Sequence, residues 1–266
     1  MSIVEVKKLQ AGYAGHTVFC DIDVRIKKNK ITTIIGPNGC GKSTLLKTMG
    51  RIIKPQKGEV LFDSRLLTDM DTIEVAKRLA LLPQNPTAPA GLTGEELVRF
   101  GRFPHRVSGR DQMIRDEEAI NWAMEITKTT SFREREIAQL SGGERQRIWL
   151  AMVLAQETEV LLLDEPTTYL DMVHQLEVLK IIQQLNLERQ CSIVMVLHDI
   201  NHAARFSHEI IAMKQGKIIA KGSPAAVINT AVLRQVFNVE AKVLVQPVDG
   251  IPICYSYDTI PQESIL

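Results

Sequence analysis

The stretch from Ile31 to Thr44, reading I-T-T-I-I-G-P-N-G-C-G-K-S-T, constrains this chain more than any other. An apolar run carrying Ile31, Ile34 and Ile35 stops at a glycine-rich turn, and a helix carrying Leu45, Leu46 and Met49 starts behind it. Gly36, Gly41, Lys42 and Ser43 fit the spacing G-x-x-x-x-G-K-[ST], with a strand before and a helix after as that pattern requires. Glycines let backbone N–H groups curl around phosphate oxygens, and the helix start adds donors and the positive end of its dipole. Gly36, Pro37, Asn38, Gly39, Cys40, Gly41, Lys42, Ser43 and Thr44 are therefore expected to cradle phosphate. Lys42 would reach the β and γ phosphates, Ser43 would offer its hydroxyl to Mg²⁺, and Thr44 would donate to another phosphate oxygen. A plain glycine turn with a lysine behind it would need neither the strand nor the helix.

A second constraint lies far downstream, where the continuous apolar run from Val160 ends in Asp164 and Glu165. Such a run is typical of a central parallel strand, and acids at its end suit metal and water chemistry. Asp164 would steady Mg²⁺ next to Ser43, and Glu165 would polarise the water attacking a γ phosphate. Alone the acidic pair says little; with the phosphate cradle it says much. Two other apolar runs end in polar residues: Leu79 to Leu82 before Gln84, and Ser192 to Leu197 before His198. Ligand chemistry in open α/β sheets gathers at strand ends, so Gln84 is a candidate for touching metal or water and His198 for holding a γ-phosphate oxygen.

Between about Ala90 and Leu140 helical patterns replace strand runs, as in an inserted helical subdomain. Thr93 and Glu96 form a capping box that opens a helix over Glu95 to Phe100, and Arg115 to Thr127 lines Ala119, Ile120, Ala123, Met124 and Ile126 along one side. The loop Gly101-Arg-Phe-Pro-His-Arg106 is either a docking surface or an ordinary solvated basic loop. Ser141 and Glu144 form another capping box, with Gly142 and Gly143 filling the first helical turn. Each glycine loses ~1 kcal/mol of helix propensity against alanine, so an anion approaching the bare backbone is the simplest reason for the pair. Asp171 precedes the helix of Leu176, Leu179, Ile182 and Leu185, where capping is its default role. Near the N-terminus, strands are expected from Ile3 and from Val18 to Ile26, the second half-buried with Val18, Cys20, Ile22, Val24 and Ile26 inward. The loop Gln10 to Gly15 between them carries Tyr13, which either stacks on a base or covers the core edge. Hairpins are expected at Glu209 to Ala220 and, around Asp249-Gly250, in the tail from Val239 to Leu266.

With 266 residues, 45% of them apolar, the chain has material for a large core, and a formal net charge of +1 implies neither a nucleic acid nor an anionic membrane partner. Its four scattered cysteines, Cys20, Cys40, Cys191 and Cys254, argue against a zinc site or a disulfide framework and suit a reducing cytoplasm. No signal-peptide pattern opens it and no apolar run approaches the ~18 residues that span a bilayer, so membrane work would need a partner.

Together these residues resemble the ATP-binding subunit of an ABC transporter. The order is phosphate loop Gly36 to Thr44, Gln84, the signature Leu140-Ser-Gly-Gly-Glu-Arg-Gln146, the acidic strand Val160 to Glu165, Leu170-Asp171 and His198. The resemblance implies an α/β P-loop NTPase of RecA-like core and mixed sheet, with an N-terminal antiparallel part and an inserted helical subdomain. The core would take residues 1–89 and 156–238, the insert 90–155 and a tail 239–266. It implies ATP and Mg²⁺ as cofactors, Tyr13 as adenine platform, Lys42 on phosphate, Ser43, Gln84 and Asp164 around the metal, Glu165 as base and His198 as switch. Asp171 would lie with the nucleotide, and Ser141, Gly142, Gly143 and Glu144 would face the γ phosphate held by an opposite copy. Partners would be a second copy arranged head to tail, transmembrane permease subunits and, indirectly, an extracytoplasmic substrate-binding protein, with no nucleic acid. The place of work would be the cytoplasmic face of the membrane. Gly101-Arg-Phe-Pro-His105 and Pro166-Thr-Thr-Tyr-Leu-Asp-Met-Val-His-Gln-Leu-Glu177 are similar to the importer group for iron(III)-siderophore complexes, haem and cobalamin, siderophores foremost. Haem or cobalamin import, a soluble ABC protein of DNA repair or ribosomes, and a scaffold that binds ATP without turnover are the alternatives. Labelling of Cys40 by a thiol reagent is expected to block ATP binding.

Overall fold

The computed structural model describes residues 1–260 except Ala14, Ser108 and Tyr169; the last six residues of the expected tail and one residue each of the Gln10 to Gly15 loop and the Pro166 to Glu177 pattern lie outside the described residues. The chain forms two compact units, Met1–Thr68 with Ile193–Leu266, and Asp69–Ser192.

In the first unit, strand β1 (Ser2–Tyr13) pairs antiparallel with β2 (His16–Lys27). Gln10 to Tyr13, expected in a loop, continue the strand, and Tyr13 pairs with His16 across the turn. The inward phase of β2 also differs from strict alternation: Cys20 is exposed and Phe19 is buried instead. A register shift between Leu9 and Ala11, opposite Ile22 and Phe19, accounts for it, with Asp21 in the left-handed region at φ 56 absorbing the extra residue. Strand β3 (Ile31–Ile35) is buried throughout and leads into helix α1 (Lys42–Met49), whose Leu45, Leu46 and Met49 are wholly buried. β4 (Lys57–Phe62) pairs with β1 and with the short β5 (Arg65–Leu66), so a four-stranded antiparallel sheet runs β2-β1-β4-β5.

The second unit contains α2 (Thr72–Arg78), then β6 (Leu79–Leu82), which runs parallel to β7 (Val160–Asp164), a strand of five buried residues. Between these strands come α3 (Gly94–Phe100), α4 (Arg110–Ile126) and α5 (Gly142–Ala155), which pack against one another; α6 (Met172–Arg189) follows β7. The Thr93 capping box is present, and α4 buries Ala119, Ile120, Ala123 and Met124. Neither expectation for Gly101 to Arg106 describes Arg102, which is 4% exposed: its guanidinium donates to Asp116 at 2.8 Å, the Ala155 carbonyl at 2.6 Å and Glu157 at 3.0 Å. An arginine enters a core only when its donors are met, and here α4 and the end of α5 meet them. Phe103 in the same loop stays half exposed, with Arg106 stacked 4.0 Å from its ring centre.

The chain then returns to the first unit. β8 (Ser192–Val196) and β9 (Glu209–Lys214) run parallel to β3 on either side, and β10 (Lys217–Gly222) turns back antiparallel on β9, a mixed sheet in the order β10-β9-β3-β8. Helix α7 (Ile200–Phe206) lies between β8 and β9; α8 (Pro224–Val227), α9 (Thr230–Phe237) and the hairpin β11 (Val239–Val245) with β12 (Pro252–Thr259) complete the unit.

Candidate active site

Gly36 to Thr44 is built from backbone first. Gly36, Gly39 and Gly41 have φ of 151, 76 and 104, a region that side chains resist and glycine does not. A Cβ at Gly36 would lie 2.2 Å from the Met213 carbonyl, so the loop is pressed against the end of β9, and Gly216 N donates to Cys40 O at 3.1 Å from the following turn. Lys42 is buried, its ammonium donating to the carbonyls of Gly36 at 2.9 Å and Pro37 at 3.0 Å. The charge therefore stands over the loop. Helix α1 has no side-chain cap and no acid in its first turn, so the positive end of its dipole faces the loop uncompensated and suits an anion. Burial pushes the Cys40 thiol above its ordinary value, although Lys42 pulls the other way, so this cysteine is a packing residue. Tyr13 stands half exposed at the end of β1, and His198 follows β8 as an exposed residue ahead of α7.

In the second unit, Asp164 ends β7 fully buried and Glu165 follows at 7% exposure with φ 54. A left-handed non-glycine residue costs on the order of 1–3 kcal/mol and persists where its surroundings fix it. Gln84 Nε2 donates to Glu165 Oε2 at 2.6 Å, and Thr168 Oγ1 donates to the same oxygen at 3.0 Å. Gln84 thus meets the acidic strand end through its amide nitrogen, and its amide oxygen is the atom with the chemistry for a cation. Thr168 was missed by motif reading; a threonine three residues after a buried acid is the signal that would have found it.

The start of α5 carries the expected capping box: Glu144 N donates to Ser141 Oγ at 3.3 Å and Ser141 N to a Glu144 carboxylate oxygen at 2.8 Å. Ser141's bonds hold the Glu144 carboxyl below the usual carboxylate range. A Cβ at Gly142 would meet nothing within 4 Å, and one at Gly143 only ordinary contacts with Leu170 and His174. Packing does not demand these glycines. Beside them a cavity of about 550 Å³ is lined by Gln84, Asn85, Gly142, Arg145, Trp149 and Thr168 among others. Asp171 caps α6 through His174 N at 2.9 Å and also meets His174 Nδ1 at 2.7 Å, which holds its carboxyl low.

The structure therefore brings Gln84 to Glu165 and Ser141 to Glu144 in one unit, and Lys42 to Gly36 and Pro37 in the other. Among the described residues no cluster of three or more His, Cys, Asp or Glu could hold a metal by itself. The candidate donors, a Ser43 hydroxyl, a Gln84 amide oxygen and an Asp164 carboxylate, are all hard oxygens. That set fits Mg²⁺, which keeps waters and leans on substrate phosphates.

Residues 19–168 match the family model described as ABC transporter. An iron(3+)-hydroxamate import ATP-binding protein of Bacillus subtilis is 48% identical over 266 residues, which is 100% of this chain and 99% of that one. A probable siderophore transport system ATP-binding protein of the same organism is 45% identical over 254 residues, 96% of this chain and 92% of that one. Among solved structures, a dimeric bacterial ABC transporter cassette is 29% identical at a TM-score of 0.72, covering 83% of this chain and 98% of the cassette.

Proposed function

The chain belongs to the ABC transporter family, and from that membership we propose that it is the ATP-hydrolysing subunit of an importer for iron(III)-siderophore complexes. Lys42, the N–H groups of Gly39 to Thr44 and the Ser43 and Thr44 hydroxyls bind the triphosphate, and Tyr13 offers a ring to adenine. Ser43, Gln84 and Asp164 hold Mg²⁺, which when bound neutralises charge on the phosphate oxygens. Glu165 accepts the proton of the attacking water, and His198 contacts the γ phosphate. The observation that carries this reading is the Glu165 carboxylate, held at the end of β7 by Gln84 and Thr168 in a conformation that costs energy to keep.

Two copies work head to tail, each presenting Ser141, Gly142 and Gly143 to the nucleotide on the other, with Asp171 nearby. The bare glycines, which packing does not require, support that arrangement, as does the dimeric cassette similar to this chain. Hydrolysis removes the γ-phosphate contact and loosens the pair, and membrane permease subunits convert the cycle into import. No helix among the described residues is long and apolar enough to cross a membrane. In this reading the bilayer is reached through those subunits, at its cytoplasmic face. The iron-chelate assignment rests on likeness to import subunits over the whole chain.

The test is Glu165→Gln. Steady-state ATP turnover falls ~10²-fold or more while nucleotide still binds and the ATP-bound dimer accumulates on size exclusion. Turnover at the wild-type rate would end the assignment. Pull-down from membranes should recover a permease, and loss of the chain should abolish iron-chelate uptake while sparing uptake of free amino acids.

A further inference from the structure

The C-terminal hairpin carries none of the motifs above, yet it is tied to the turn that follows His198. Asn201, in the first turn of α7, donates from Nδ2 to the Cys254 carbonyl at 3.0 Å and accepts from Cys254 N at 2.8 Å. A side-chain amide carries one donor group and one acceptor at nearly the spacing of a peptide unit, so Asn201 acts as a one-residue strand partner for β12. The hairpin turns Ala241, Pro252 and Cys254 inward, and Thr230 Oγ1 donates to the Ala241 carbonyl at 3.1 Å on its other strand. Burial, with the Asp199 charge adding to it, pushes the Cys254 thiol up.

His198 sits between two fixed points. Leu197 N donates to the Ile34 carbonyl at 3.3 Å, next to β3, and Asp199 caps α7 by accepting from His202 N at 2.7 Å. Helix α7 has seven residues, too few to hold its own geometry in water, so its first turn depends on bonds from elsewhere. Asn201 supplies such bonds from a strand 53 residues away in sequence.

We propose that Asn201 is a positioning residue for His198 and that the C-terminal hairpin, through it, sets the placement of the γ-phosphate switch. The proposal rests on the reading of His198 as that switch. Removing the amide frees the first turn of α7, so His198 samples more orientations and fewer of them meet the γ phosphate. ATP binding, which depends on the loop at Lys42, is untouched.

The experiment compares full-length wild type, Asn201→Ala, Asn201→Asp, Thr230→Val and His198→Ala by steady-state ATPase, binding of a fluorescent ATP analogue and amide hydrogen exchange. Asn201→Ala lowers kcat about 5- to 10-fold with KM for ATP within about twofold, and speeds exchange of the amides from 198 to 202 about 10-fold or more. Asn201→Asp, which keeps the acceptor and turns a carboxylate towards the Cys254 carbonyl, does the same. Thr230→Val, which loosens β11 but leaves Asn201 in place, keeps wild-type kcat. Wild-type kcat and exchange in Asn201→Ala, with His198→Ala inactive, would overturn the coupling alone. An equal loss of kcat in Thr230→Val, or a matching rise in KM, would overturn it in favour of general loosening. Wild-type turnover in His198→Ala would instead remove the switch reading beneath it.

Discussion

Two helix starts in this molecule are rich in glycine, and they are built in opposite ways. At α1 the glycines adopt left-handed or extended positive φ, no side chain caps the helix and a buried ammonium stands over the turn. At α5 the glycines lie inside the helix, Ser141 and Glu144 cap each other across them, and open space faces Gly142. The first start gathers charge, uncapped helix-start donors and a glycine turn within one chain, a combination that suits an anion. The second has Ser141 N and Glu144 N satisfied locally and only bare backbone between them, which fits the proposal that an opposite copy brings the anion.

Replacing Lys42 with Ala removes the one charge built into the first start, and affinity for ATP should fall ~10²-fold or more by equilibrium binding; unchanged affinity would break the contrast at its stronger end. A thiol reagent should modify exposed Cys20 about 10-fold faster than Cys40, whose burial and raised pKa keep it as a thiol. Nucleotide binding should survive labelling of Cys20 and fail only as Cys40 follows, and equal rates would mean the first start opens freely. Gly142→Ala should lower turnover by about 10-fold with ATP affinity unchanged, yet leave the fold as stable or up to ~1 kcal/mol more so, since alanine is the better helix former and nothing obstructs its methyl group. Turnover unaffected would reduce the second start to structure. Smallest is Ser141→Ala, which should cost about 1 kcal/mol in chemical denaturation through loss of the cap.

Features that depend on neighbours in sequence were legible before any coordinates. The loop at Gly36 to Thr44, both capping boxes, the buried runs of β3, β7 and β8 and the two C-terminal hairpins follow from local pattern, and the structure has them. What escaped was set across space. Phe19 replaces Cys20 in the core because the register of β2 against β1 shifts, which neither strand states alone. Arg102 is buried because Asp116 and the end of α5 receive it, from positions 14 and 53 residues further along. Tyr13 looked like a loop residue because Gly12 and Gly15 flank it, but His16 pairs with it across the turn. Residue types nominated the candidates for the site, and that much was readable. Thr168 and the bond from Gln84 to Glu165 were not, since 81 residues separate that pair.

The press of the Gly36 loop against Met213 and its bond from Gly216 have a thermodynamic consequence. A recess already frozen by its own framework surrenders little motional freedom when a guest arrives. Its filling should therefore be fast, with a small heat-capacity change. Whatever rearrangement drives work at the bilayer must be sought in other parts of the engine than this rigid floor.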